Sequence, residues 1–151
     1  MNVNLEVVSI PVSDVDKALE FYHERLGWRV DADIKRGDDF RVVQITPTGE
    51  GHTSIAFGVG IPMATPGSMR HLELVTPDIV ATREELVERG VDVTEVYHGA
   101  GSVFRPEARI SGPDPDRTSY ASYASFADPD GNGWTLQEVT SRLPGREPER
   151  G

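Results

Sequence analysis

The chain has 151 residues, 37% of them hydrophobic and 26% charged, with a formal net charge of −10. That length suits one domain with its own core, and the composition is too apolar for a disordered chain. The acidic balance excludes the basic footprint of a nucleic-acid binder and disfavours an anionic membrane surface. The lack of cysteine removes disulfides, thiolate catalysis and Cys-based zinc sites.

Residues 1–14 lack a basic segment followed by a long apolar run. No stretch approaches the roughly 18 apolar residues of a membrane span. The expected location is the cytoplasm.

Residues 5–12 (LEVVSIPV) are rich in β-branched side chains and predict a strand. Ser13 or Asp14 then caps a helix running to about Leu26, with Val15, Ala18, Leu19, Tyr22 and Leu26 at helical spacing and Gly27 as the stop. Strands are expected over residues 28–34, 40–46 and 53–59, separated by the turn-formers of residues 36–39 and 47–51. After a Pro- and Gly-bearing linker, 61–68, the order restarts: strand 69–75, a helix opened by Pro77-Asp78 and ended by Gly90, and strand 91–97. A long aperiodic segment, 99–119, precedes strands 120–126 and 133–139, which are joined by the turn of residues 128–132. Residues 141–151 hold almost nothing apolar and are expected to fray as a tail.

Strand, helix and three strands thus occur twice, with Asp14-Val15 matching Asp78-Ile79 at an offset of 64. The expected organisation is a single domain over 1–140, with module one at 1–60 and module two at 69–140. One half alone would expose an apolar sheet face, so two halves are expected to pair.

Three segments resemble the vicinal-oxygen-chelate superfamily, the glyoxalase, bleomycin-resistance and extradiol-dioxygenase proteins. They are VSDVDKALEFYHERLGW (12–28), HLELVTPDIVATREELVERGVDV (71–93) and SFADPDGNGWTLQEV (125–139). The first follows the family's pattern of Val-x-Asp before a helix carrying Phe-Tyr and ending in Leu-Gly. DPDGN before a last strand is the second mark. The resemblance implies an α+β fold in which two βαβββ modules form a curved, U-shaped mixed sheet around a central cavity. It also implies a homodimer. Members include isomerases, lyases, dioxygenases and drug-binding proteins, so the fold leaves the activity open.

Enzymes of this family hold a divalent metal on His and carboxylate side chains from the first and last strands of each module. The corresponding positions here are Val7, Ala56, His71 and Thr135, and the offset of 64 independently pairs Val7 with His71. Only His71 is a good ligand, where a stable site wants three or more. No metal and no cofactor are therefore expected. Strand alternation places Glu73 on the face of His71, and Gln137 on that of Thr135. The pair His71–Glu73 can act as an acid–base couple, hold an unusual metal with Gln137, or simply form a hydrogen-bonded polar patch.

By the same alternation, Val8, Ile10, Ile55, Phe57, Leu72, Leu74, Trp134 and Leu136 should meet the helices. Val7, Ser9, Ala56, His71, Glu73, Thr135 and Gln137 should line the ligand cavity, with Phe40, Gln44 and Tyr123 as further members. Segment 99–119 reads equally as a lid, with Phe104 touching the ligand, or as a surface excursion. His23, His52 and His98 read as surface histidines. No Gly-x-Ser-x-Gly elbow is present, and GVGIPMATPG lacks the Lys-Ser/Thr of a phosphate loop. The expected function is binding of a small organic molecule, an antibiotic or aromatic metabolite, in a cavity without the usual metal ligands. The alternatives are an isomerase, lyase or dioxygenase-like enzyme using His71 and Glu73, and a regulator without a small ligand.

Overall fold

The computed structural model describes residues 1–146; the end of the expected tail, 147–151, lies outside the described residues. The chain is an α+β protein with two mixed sheets, divided into one unit of residues 1–70 plus 127–133 and another of 71–126 plus 134–151. Among the described residues, no helix is long and apolar enough to cross a membrane.

The first unit contains strands β1 (Val7–Ser9), β2 (Arg29–Arg36), β3 (Phe40–Thr46) and β4 (Ser54–Val59), in the order β1-β4-β3-β2. β1 runs parallel to β4, and the other pairs are antiparallel. Residues 5–12 were expected as one strand, but Pro11 has no N–H to continue the ladder, which closes with Ile10 N donating to the Ala56 carbonyl (2.8 Å). Helix α1 (Val15–Leu19) starts at Asp14, whose carboxylate accepts from Lys17 N at 3.0 Å. It continues as a π-helical stretch, Glu20–Arg25, closed by Leu26 N donating to the Phe21 carbonyl. That stretch carries Tyr22, which is fully buried, with the Trp28 and Phe57 rings 5.5 and 5.8 Å away. Val43, Ile45 and Phe57 complete a core with no exposed surface.

The DPDGN turn belongs to this first unit, where it forms a polar knot. The buried Asp128 carboxylate accepts from the Tyr22 hydroxyl (2.8 Å), the Asn132 side chain (2.7 Å), and the backbone of Asp130 and Asn132. Asn132 also donates to the Pro11 carbonyl and accepts from Met69 N, while Asp130 accepts from Ser13 N. Every one of these polar groups thereby regains the hydrogen bonds it loses on leaving water.

The second unit contains β5 (Leu72–Thr76), α2 (Ile79–Glu88), β6 (Tyr97–His98), β7 (Ile110–Ser111), β8 (Ser122–Ala127, its last residue in the first unit) and β9 (Gly133–Glu138, its first residue likewise). The order is β5-β9-β8-β6-β7. β5 runs parallel to β9, as β1 does to β4. Asp78 caps α2 as Asp14 caps α1, with nearly the same backbone (φ −143°, ψ 99° against φ −139°, ψ 110°). The offset of 64 read in the sequence is therefore an offset between equivalent helix caps.

Two expectations change here. Residues 91–97 form a ladder strand only at Tyr97, although Val91, Val93 and Val96 are buried. Their alternation reports burial, while the hydrogen bonds are scattered: Thr94 N donates to the Ser125 carbonyl, Ser125 N to the Thr94 hydroxyl, and Gly112 N to the Val96 carbonyl. Val8, Leu72 and Leu74 are only half-buried. They sit on β1 and β5, edge strands with a neighbour on one flank.

Candidate functional site

Strand register decides which side chains share a face. In the second sheet Glu73 pairs with Thr135 and Val75 with Gln137, while Leu72 and Leu74 pair with Trp134 and Leu136. Parallel partners project to the same side, so Glu73, Val75, Thr135 and Gln137 form one face and the leucines and Trp134 the other. On β8, Phe126 stacks against Trp134 (6.3 Å, 8° between planes), which puts Tyr123 and Ser125 on the Glu73 face.

His71 joins that face by a different route from the one expected. It stands outside β5 with φ 60°, so strand alternation does not orient it. Its Nδ1 lies 3.3 Å from the Thr135 hydroxyl, and its ring centroid 4.9 Å from that of Phe104. Thr135, the Cα partner of Glu73, links the two expected residues. A left-handed backbone at a non-glycine residue costs about 1–3 kcal/mol and persists where surrounding contacts hold it. Both His71 and Glu73 are exposed, and the Glu73 carboxylate has no hydrogen-bond or salt-bridge partner among the described residues. Phe104, 71% exposed, covers the imidazole from the long segment.

Gln137 and Tyr123 meet at one acceptor, the Tyr120 carbonyl, to which the Gln137 amide (3.0 Å) and the Tyr123 hydroxyl (2.8 Å) both donate. Burial pushes the Tyr123 phenol's pKa up, a Gln137 hydrogen bond opposes this, and the Glu73 carboxylate and Tyr97 add to the rise. The phenol is thus held protonated at neutral pH.

Sequence reasoning did not select Tyr97, Ser125 and Arg109 for this face. Tyr97 pairs across the ladder with Tyr123 (rings 5.7 Å apart) and shares a hydrogen bond with the Ser125 hydroxyl at 2.7 Å. The Arg109 guanidinium lies 4.1 Å from the Tyr97 ring centroid. The two-residue β6 was too short to signal its partner, and Arg109 reaches the ring from irregular chain. His98, read as a surface residue, is half-buried and donates from Nδ1 to the Gly112 carbonyl at 2.7 Å.

In the first sheet, Ser9 pairs with Ala56 and Ala56 with Gln44, so Val7, Ser9, Phe40, Gln44 and Ala56 share the face opposite Val43, Ile45 and Phe57. Ala56 is buried, Gln44 and Phe40 are half-buried, and Val7 and Ser9 are exposed. The same face carries a polar chain missed in the sequence. The Thr46 hydroxyl donates to Asp31 and shares a hydrogen bond with Ser54, and Arg29 pairs with Asp31 at 2.6 Å. These contacts hold the Asp31 carboxyl below its usual pKa, with Arg29 the larger cause and Thr46 the next. A break in register between Val30 and Ala32 turns Asp31 toward Thr46, and no sequence pattern announces such a bulge. Among the described residues, no group of three or more His, Asp or Glu side chains could hold a metal ion.

A sequence model of the Glyoxalase/Bleomycin resistance protein/Dioxygenase superfamily matches residues 4–136. The chain belongs to that superfamily. Among solved structures, an antibiotic-binding protein, TnmS3 of Streptomyces sp. CB03234, is 34% identical with a TM-score of 0.67, covering 91% of this chain and 97% of that one. A glyoxalase/bleomycin resistance protein from the same organism is 36% identical (TM-score 0.62; 87% and 96% covered). A superfamily member from Sphaerobacter thermophilus DSM 20745 is 27% identical (TM-score 0.61; 91% and 98% covered). A search of curated proteins gives no match.

Proposed function

We propose that the chain is a metal-independent binding protein for a small organic molecule, received on the His71–Glu73 face. The observation that carries the reading is the arrangement of His71 between Thr135 and Phe104 beside an unpartnered Glu73. It offers an aromatic surface and two polar anchors, the composition of a small-molecule site. Likeness to an antibiotic-binding protein over 91% of the chain supports it. From this unit the contacting set is His71, Glu73, Phe104, Tyr123, Thr135 and Gln137.

The donor set does not fit the family's metal, since Val7 and Ala56 carry no ligand atom. The protein should purify without stoichiometric metal, and chelator should leave its melting temperature unchanged. Near one Ni, Zn, Fe or Mn per chain, lost on His71→Ala, would overturn this.

A thermal-shift screen of small aromatic and cationic compounds tests the site. Ligands that stabilise the wild type should bind His71→Ala and Glu73→Gln about tenfold or more weakly, while both variants keep near-wild-type stability. A ligand indifferent to both changes overturns the site. The exposed imidazole beside a carboxylate-bearing strand also favours a proton-transferring enzyme, an isomerase or lyase, as a second reading, which conversion of such a ligand would establish. We also propose a cytoplasmic homodimer. The two sheets leave β1, β2, β5 and β7 as edges, with Val7, Ile34 and Val75 exposed on them. Sedimentation as a 16.6 kDa species at all micromolar concentrations would refute the dimer.

A further inference from the structure

We propose that the hollow at the base of segment 99–119 is a separate subsite that receives a protonated amine, held by the Asp114 carboxylate and the His98 imidazole. The hollow has a volume of about 250 Å³ and is lined by His98, Gly99, Ala100, Gly101, Asp114, Tyr120, Ala121 and Tyr123. That is below the roughly 300–1,000 Å³ of a site for a whole drug-sized molecule, so it fits one substituent or a small amine.

The hydrogen-bond inventory of the lining selects the ligand. His98 Nδ1 faces the Gly112 carbonyl, an acceptor, so that nitrogen carries the proton and Nε2 of the neutral ring is left as an acceptor. The Asp114 carboxylate accepts from Thr118 N (3.0 Å), and the Thr118 hydroxyl and Asp116 N also bond it; these contacts orient the group, and its roughly four lone-pair sites leave capacity for one more donor. The Thr118 hydrogen bonds, backbone first and side chain next, hold the Asp114 carboxyl below its usual pKa against the opposing effect of burial. The Tyr123 hydroxyl is committed to the Tyr120 carbonyl, and the Tyr120 hydroxyl accepts from Leu143 N. Their rings remain as walls, and an aromatic face attracts a cation.

Among the described residues, no lysine or arginine lines the hollow. Of the segment's three arginines, Arg109 is engaged on the Tyr97 ring and the Ser102 carbonyl and Arg117 on Glu138 and Asp78, while Arg105 lies outside the lining. Acceptors without a resident cation suit a donor-only, positively charged group. An ammonium has three donors and no acceptor. Gly99 and Gly101 have positive φ (119° and 71°), so the wall nearest His98 is built from backbone and the Ala100 methyl. The subsite shares only Tyr123 with the site proposed above, and its failure would leave that site untouched.

The probes are benzylammonium and its neutral analogue benzyl alcohol, titrated into the full chain and followed by amide NMR shifts. Benzylammonium should bind saturably with shifts confined to residues 98–101, 114 and 120–123, and benzyl alcohol at least about tenfold more weakly, as loss of a charge-assisted hydrogen bond requires. Asp114→Asn keeps an acceptor for Thr118 N and should bring the two probes within about twofold of each other. Ala100→Leu, at an exposed position on the wall, should abolish both shifts without altering the rest of the spectrum. Equal affinity for the two probes, an Asp114→Asn variant that binds benzylammonium like wild type, or no saturable binding would each overturn the proposal.

Discussion

Glu138 is a carboxylate with no exposed surface, and it accepts three hydrogen bonds at once. Arg117 clamps it through two hydrogen bonds, Nε to Oε1 (2.9 Å) and Nη2 to Oε2 (2.5 Å), and Ile79 N at the start of α2 donates to Oε2. Arg117 foremost, then Ile79 N, hold its pKa below the usual glutamate value against the opposing effect of burial. A carboxyl whose folded pKa is depressed contributes stability above its unfolded pKa, and loses it as pH falls toward the folded value. Urea midpoints of the wild type should therefore drop between about pH 5 and pH 3. Glu138→Gln should be less stable at pH 7 and show a flatter profile over that interval. A parallel loss in both proteins would show that Glu138 contributes nothing to acid sensitivity. Tyr22→Phe removes one donor from the buried Asp128 carboxylate and should cost about 1–3 kcal/mol in the same measurement. Tyr22 was legible in the sequence as a core residue of α1, but its hydroxyl partner was not. Asp128 lies 106 residues away, and no local pattern encodes a hydrogen bond of that separation.

At the scale of elements, both helix starts were readable, because an Asx cap is a short-range device in which the side chain bonds the backbone three residues on. Asp14→Ala and Asp78→Ala should each lower stability by about 0.5–2 kcal/mol in chemical denaturation. The Asp78 variant should suffer more, since its carboxylate also lies 3.5 Å from Arg117. Equal losses would mean that this ion pair adds nothing. Strand limits were legible where turn residues bound them, as at Phe40–Thr46, and poorly legible where buried valines alternate without a ladder, as at 91–96. The segment 99–119 was readable only as aperiodic. Its anchorage rests on particular contacts, Arg109 on Tyr97 and Arg117 on Glu138, which propensity cannot supply. His71 is the instructive case at the site. Strand alternation placed it beside Glu73, whereas its left-handed backbone and its contact with Thr135 are what bring it there.

For the molecule as a whole, the superfamily, the two modules and the repeated strand-helix-strand order were visible because the caps, the Phe-Tyr helix and DPDGN recur in fixed order. What no linear reading showed is that residues 127–133 belong with residues 1–70. Translation runs from the N-terminus, so Tyr22, Pro11 and Ser13 emerge from the ribosome more than a hundred residues before Asp128, Asn132 and Asp130 can meet them. A nascent chain halted after residue 126 carries every strand and helix of the first unit and none of its polar knot. Such a chain should be readily cut by protease within residues 1–70, and one halted after residue 140 with its exit cleared should resist. The first unit of this protein therefore waits for residues 127–133, and its folding is timed by their emergence from the ribosome.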